Sequence, residues 1–141
     1  ALAFTEKAGF KVLRGEAVST VINIAGIDDS QGKAFGLYKG VSEKSLLEGL
    51  PRDKFTLLLK HKPVVDKSSI GLFDLQLSGH THGGQIFPFS LVVRLFYRYF
   101  SGDYRLSEGS AIHVSRGTGT WGSPMRLLSP PEITVIELVR E

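Results

Sequence analysis

Apolar and polar positions alternate in short bursts along this chain, with glycines between them. "FKVLRG" (10–15) and "AVSTVINIAG" (17–26) predict strands, the second dense in β-branched side chains that suit a pleated surface. "GIDDSQGKAFG" (26–36) reads as a loop. "VSEKSLLEGL" (41–50) predicts a short helix: Ser42 can cap it, Leu46, Leu47 and Leu50 share a face, and Pro51 helps to end it. "KFTLLLKH" (54–61) is a continuous apolar run that stops at a polar residue, as in a buried strand that delivers a side chain at its end. "KPVVDKSSIG" (62–71) is a connector with room for one helical turn. "FDLQLSGH" (73–80) predicts a strand, with Phe73, Leu75 and Leu77 alternating against Asp74, Gln76 and Ser78. "SLVVRLFYRYF" (90–100) predicts a helix, and "AIHVSRG" (111–117) and "EITVIELV" (132–139) predict further strands. Strands outnumber helices, so the expected class is α/β, with α+β as the alternative. No repeat or linker divides residues 1–141, which are read as a single domain.

Composition narrows the chemistry. At 141 residues, 42% hydrophobic and 22% charged, the chain can bury a core. A net charge of +3 permits an anionic partner without requiring nucleic acid, and no nucleic-acid partner is expected. With no cysteine, disulfides, zinc ribbons and thiol catalysis are excluded. No apolar run approaches the roughly 18 residues of a membrane span. The chain opens "ALAFTEKAGF" and its single Met is Met125, so this opening is not read as a natural translation start.

Two of the four histidines, His80 and His82, fall in "SGHTHGGQ", just past a predicted strand and among Gly79, Gly83 and Gly84. Glycine accepts positive φ and allows close backbone approach, which imidazoles need if they are to converge on an ion. In extended chain the two-residue spacing would also put both rings on one side. A polar turn with two surface histidines is the plain alternative. His61 ends another apolar strand, and two strand ends in one sheet would set it beside the His80 loop. Neutral histidine is the commonest metal ligand near pH 7.

"GHTHGGQ" after "FDLQLS", with "LLLKHKP" upstream and "INIAGIDD" and "VSRGTGTWGSPMRLLSPPEITVIEL" on either side, resembles the C-terminal part of a calcineurin-like metallophosphoesterase, within a bacterial, often membrane-associated branch. The resemblance covers nearly the whole chain. It implies two sheets packed face to face and flanked by helices. It also implies a dinuclear centre of Mn, Fe or Zn in which His61 and His80 hold one ion and His82 the other. The implied reaction is hydrolysis of a phosphomonoester, phosphodiester or pyrophosphate bond, with a phosphate-containing small molecule or lipid as substrate. The family's Asp-x-His, Gly-Asp and Gly-Asn-His-Asp/Glu motifs should precede these histidines, and none stands upstream of His61. The N-terminal half of the same protein would supply them, including the bridging carboxylate. Three imidazoles without it favour a weak single-ion site, so this chain alone is expected to hydrolyse little. Asp28 and Asp29 are read as loop residues. No catalytic group beyond the metal ligands is assigned. The rival reading is a non-catalytic binding or interaction module that keeps the fold half.

Four arginines are candidate substrate contacts, because guanidinium matches phosphate geometry. Arg116 ("VSRGTG") and Arg126 ("SPMR") weigh equally as structural bridges. Arg94 and Arg98 share a face of the 90–100 helix, whose Leu91, Leu95 and Tyr99 recur at fourfold spacing beside Val92 and Phe96. The preferred expectation is that this stripe packs on the sheet with arginines outside. A basic helix in a segment this rich in aromatics can also lie on an anionic membrane, so a cytoplasmic or peripheral membrane location is expected. Trp121 either stacks on substrate or anchors its loop, His113 is structural, and Pro130 and Pro131 set up the final strand.

Overall fold

Six strands build one mixed sheet in a computed structural model that describes residues 2–29, 32 and 40–139. They are β1 (Glu16–Ser19), β2 (Asn23–Ile27), β3 (Thr56–Lys60), β4 (Leu75–Ser78), β5 (Gly102–Arg105) and β6 (Ala111–Val114). The order is β1-β2-β3-β4-β6-β5. The central run β2–β3–β4–β6 is parallel, and β1 and β5 close the two edges antiparallel. Helices α1 (Leu2–Lys7), α2 (Glu43–Glu48) and α3 (Phe89–Phe96) complete an α/β fold. No helix among the described residues is long and apolar enough to cross a membrane.

Register explains the two faces of the sheet. Ala25, Leu58, Gln76 and Ile112 pair side by side across four strands, and all four are fully buried. Leu47 of α2 and Phe73 pack onto this row, with Leu46 and Leu50 beside them. The helix forms where expected: the Ser42 hydroxyl accepts from the Ser45 N–H at 3.4 Å, and Gly49 follows the last turn. The opposite face, carrying Ile24, Leu57, Leu59, Leu75 and Leu77, is half-covered, and Leu59 is exposed. The alternation at 73–80 therefore runs opposite to hydropathy within β4: Gln76 and Ser78 are buried while Leu75 and Leu77 are partly open. Gln76 Nε2 donates to Ser78 Oγ at 2.9 Å, which satisfies part of this buried polar pair.

Several expectations are corrected. Residues 10–15 form no strand; Leu13 instead lies against Gly26, where a Cβ would collide with it. The strand expected over 17–26 is a hairpin, β1 turning through Thr20–Ile22 into β2. The segment 132–139 is not a strand, because no neighbouring strand lends it hydrogen bonds among the described residues, and Ile133 and Val135 stay exposed. The helix expected over 90–100 ends at Phe96 and buries none of its residues, so it does not cover the sheet. The helical turn in the 62–71 connector is present at Lys67–Ser69, capped by Asp66. Much of the 26–36 loop lies outside the described residues.

Candidate metal centre

Parallel strands end at one edge, and in open α/β sheets ligands bind beyond those carboxyl ends. Here β2 leads into Asp28 and Asp29, β3 into His61, β4 into Gly79–His80, and β6 into Ser115–Arg116. The β3 and β4 ends are tied together directly. The Gly79 N–H donates to the His61 carbonyl at 3.0 Å, and the Ser78 hydroxyl donates to the Lys62 carbonyl at 3.3 Å.

That tie brings His61 Nε2 and His80 Nδ1 to 3.0 Å. The other nitrogen of His80, Nε2, lies 2.7 Å from the Tyr97 hydroxyl just past α3. The three rings therefore run His61–His80–Tyr97, each meeting the next edge-on. Burial, reinforced by the positive fields of His61 and Lys62, holds the His80 imidazole below its ordinary pKa against the opposing pull of Asp29. The neutral ring, the form that binds metal, is thereby favoured.

His82 diverges. His80 and His82 both adopt positive φ, 70° and 51°, so the chain between them is not extended and the two rings need not share a side. His82 opens a 3-10 turn over His82–Gly84, and its Nδ1 lies 3.4 Å from the Arg126 guanidinium. Its carbonyl accepts from the Ser129 hydroxyl at 2.7 Å and from Arg126 at 3.2 Å. Of the three expected ligands, the structure brings His61 and His80 together and turns His82 toward Arg126.

The fit to an ion is partial. The 3.0 Å between the two ring nitrogens is hydrogen-bond distance, one ring donating to the other according to tautomer, and these same two nitrogens are the atoms the pair would offer an ion. Among the described residues, no group of three or more His, Asp or Glu is placed to hold a metal. Asp28 is engaged by Arg14 through two bonds of 2.9 and 3.1 Å, and Asp29 lies 3.4 Å from Lys62. Both are committed to cations, in keeping with the loop role expected of them.

The arginines separate by role. Arg126 donates to the carbonyls of Arg116, Gly117, His82 and Ser129 and clamps three loops together. Arg116 pairs with Glu132 at 2.6 Å while its stem lines a cavity of about 570 Å³. Arg94, Arg98, Tyr97, Ser90 and Gly83 also line that cavity, one residue from the histidine loop. Burial tends to raise the Glu132 pKa, but bonds from Arg116 and Thr134 outweigh it and hold the carboxyl below its ordinary value. His113 is structural, bonded to Asp103 at 2.6 Å and Thr134 at 3.0 Å. Trp121 is largely exposed, its backbone held by the Gln85 side chain at 2.6 and 2.9 Å.

Sequence reasoning missed three contributors. Thr81, between the histidines, is buried and donates to the Phe100 carbonyl at 2.7 Å, fixing the loop to the residues after α3. Gln85 braces the Trp121–Ser123 loop, and Tyr97 meets His80. Position within "GHTHGGQ" could have flagged Thr81 and Gln85. Nothing local marks Tyr97.

A protein of Aquifex aeolicus (strain VF5) named an uncharacterized metallophosphoesterase is 45% identical over 140 residues, which is 97% of this chain and 54% of that protein. An uncharacterized metallophosphoesterase of Campylobacter jejuni is 41% identical over 121 residues, 83% of this chain and 31% of its own length. A Danio rerio protein named a transmembrane protein with metallophosphoesterase domain is 38% identical over 132 residues, 91% of this chain and 30% of its own length. The chain thus spans about half of the first relative and about a third of the other two. No family model matches, and no solved structure matches.

Proposed function

By sequence this chain belongs to the metallophosphoesterases, and from that premise we propose that it contributes one side of a metal centre that hydrolyses phosphoester bonds. The observation that carries this reading is the His61–His80 pair, 3.0 Å apart at the ends of adjacent parallel strands. His61 and His80 would hold one divalent ion, with His82 reaching a second after turning away from Arg126. An ion of the Mn, Fe or Zn class would supply Lewis acidity toward a phosphoryl oxygen.

The chain's own residues do the remaining work. Tyr97 orients the His80 ring through its hydroxyl, and burial shifts that ring toward its neutral form. Arg94 and Arg98, at the rim of the 570 Å³ cavity, would take the phosphate oxygens of a phosphomonoester, phosphodiester or pyrophosphate. Arg116 keeps its pairing with Glu132 and shapes the wall. Carboxylate ligands would come from further sequence of a longer protein, as the relatives' greater length allows. The half-open sheet face bearing Leu57, Leu59, Leu75 and Leu77 gives such a segment an apolar surface to pack on.

The test is Mn²⁺ and Zn²⁺ titration of the chain by calorimetry, beside hydrolysis of an aryl phosphodiester. Binding that disappears in His61→Ala and in His80→Ala, with little turnover, is expected. Metal binding unchanged in both variants would overturn the ligand assignment. It would favour a non-catalytic interaction module.

A further inference from the structure

Tyr97 reaches the histidine pair from outside the sheet. It caps the C-terminal end of α3: its N–H donates to the Val93 carbonyl at 3.0 Å, and its φ of −120° and ψ of 110° turn the chain out of the helix. Three residues later the Phe100 carbonyl accepts from the Thr81 hydroxyl at 2.7 Å, and Thr81 stands between the two histidines of the loop. The 97–100 stretch is therefore pinned to the loop at two points, one of them His80 itself. The half-buried Tyr97 ring meets the His80 ring edge-on, with 5.3 Å between centroids and 68° between planes.

His80 turns its two nitrogens to different neighbours: Nδ1 to His61 at 3.0 Å and Nε2 to Tyr97 at 2.7 Å. A neutral imidazole carries one N–H, so the two nitrogens cannot act alike. With the proton on Nδ1, that N–H points at His61 and closes the space between the rings, while Tyr97 donates to Nε2. With the proton on Nε2, the Tyr97 oxygen accepts it, and Nδ1 turns a lone pair toward His61. Only the second form leaves Nδ1 able to bind a cation. An imidazole that holds a metal gives its other N–H to an oxygen, which fixes the tautomer and raises the basicity of the ligating nitrogen. The carboxylates of Asp28 and Asp29 are held by Arg14 and Lys62. The oxygen within reach of Nε2 is the Tyr97 hydroxyl.

We infer that Tyr97 is a positioning residue that selects Nδ1 of His80 as the metal-binding nitrogen, by accepting the Nε2 proton. This goes beyond orienting the ring, since it fixes which nitrogen is bare. The ion itself comes from the phosphoester reading, on which the role rests. The end of α3 thereby governs how well the pair is prepared, through a side chain outside the histidine motif.

The test is Tyr97→Phe, which keeps the ring and removes the hydroxyl. Long-range proton–nitrogen correlation spectra of the metal-free chain report which His80 nitrogen carries the proton. The wild type should show Nε2–H, and the variant a mixture of both tautomers. Zn²⁺ titration by calorimetry should give a Kd weaker by about tenfold to a hundredfold in the variant, with unchanged circular dichroism. Tyr99→Phe, which strips a hydroxyl from a ring packed on Tyr104, should match wild type in both measurements. A packing role alone predicts no change in either, because the Phe ring fills the same space. Nδ1–H in the wild type overturns the inference, and so does zinc held by Tyr97→Phe as tightly as by wild type, or more tightly. A wild type that takes up no zinc sinks the phosphoester reading, and the spectra still decide the role of Tyr97. Nε2–H lost with the hydroxyl keeps Tyr97 as the group that sets the His80 tautomer; a tautomer unmoved by the substitution overturns it.

Discussion

The three glycines around the histidines are not equivalent, and their substitution should show it. Gly84 sits at φ 76°, and a Cβ there would strike the backbone Cα of Ser90 in the first turn of α3. Gly83 sits at φ 60°, where a Cβ would lie 2.6 Å from Ser129 Oγ and 2.8 Å from Arg116 Cγ. Gly79 has no positive φ, and its nearest neighbour would be the Ser115 carbonyl oxygen at 3.8 Å, an ordinary contact. A left-handed conformation costs an alanine about 1–2 kcal/mol. Forcing a methyl against packed atoms adds about 1–3 kcal/mol. Gly84→Ala should therefore lose roughly 2–5 kcal/mol, because helix backbone cannot step aside as a side-chain tip can. Gly83→Ala should lose nearly as much, since both of its obstacles are themselves bonded. Gly79→Ala should fall within about 0.5 kcal/mol of wild type, or gain slightly by restricting the unfolded chain. Urea unfolding followed by far-ultraviolet circular dichroism, with unchanged m-values, measures all three. Equal midpoints for Gly84→Ala and Gly79→Ala would refute the steric argument and with it the described path of the loop.

Two further outcomes follow from the same surroundings. Arg126→Met should cost about 2 kcal/mol in urea, because it strips donors from carbonyls of the 82, 116–117 and 129 loops; an unchanged midpoint would mean that Arg126 is free for ligand after all. Glu132 has its folded pKa held down, so its contribution is present above the usual carboxylate range and is lost as pH falls through the depressed value; Glu132→Gln should be less stable than wild type at neutral pH, with the gap closing in acid, and a gap independent of pH would contradict this.

How much of this was legible in the sequence depended on whether local chemistry agreed with the tertiary setting. Helix α2 was readable because a cap, a leucine face and a terminating glycine and proline all agree. The His61 and His80 strand ends were readable because apolar runs stop abruptly at polar residues. The β1–β2 hairpin was not, since its turn runs through Thr20, Val21 and Ile22, which carry no turn chemistry and look like more strand. Strand β5 is four residues long at a sheet edge, with exposed Asp103 and Arg105 that hide any apolar alternation. The 132–139 segment has a strand's composition, but a strand also needs a neighbour to bond.

The geometry at His82 has a different cause. Judging that His80 and His82 face one way assumes ordinary extended backbone. Five non-glycine residues among those described have positive φ, and three of them, His80, His82 and Gln85, fall within this one loop. Such conformations cost free energy and persist only where surroundings over-determine them. Here the surroundings are identifiable: Thr81 bonded to Phe100, Gln85 bonded to Trp121 and Ser123, and the His82 carbonyl gripped by Ser129 and Arg126. These bonds do not bury apolar surface, and a relaxed turn would need fewer of them. They hold His80 against His61 and carry the chain straight into α3, so the strain lies in the stretch that joins the histidine pair to the exposed helix.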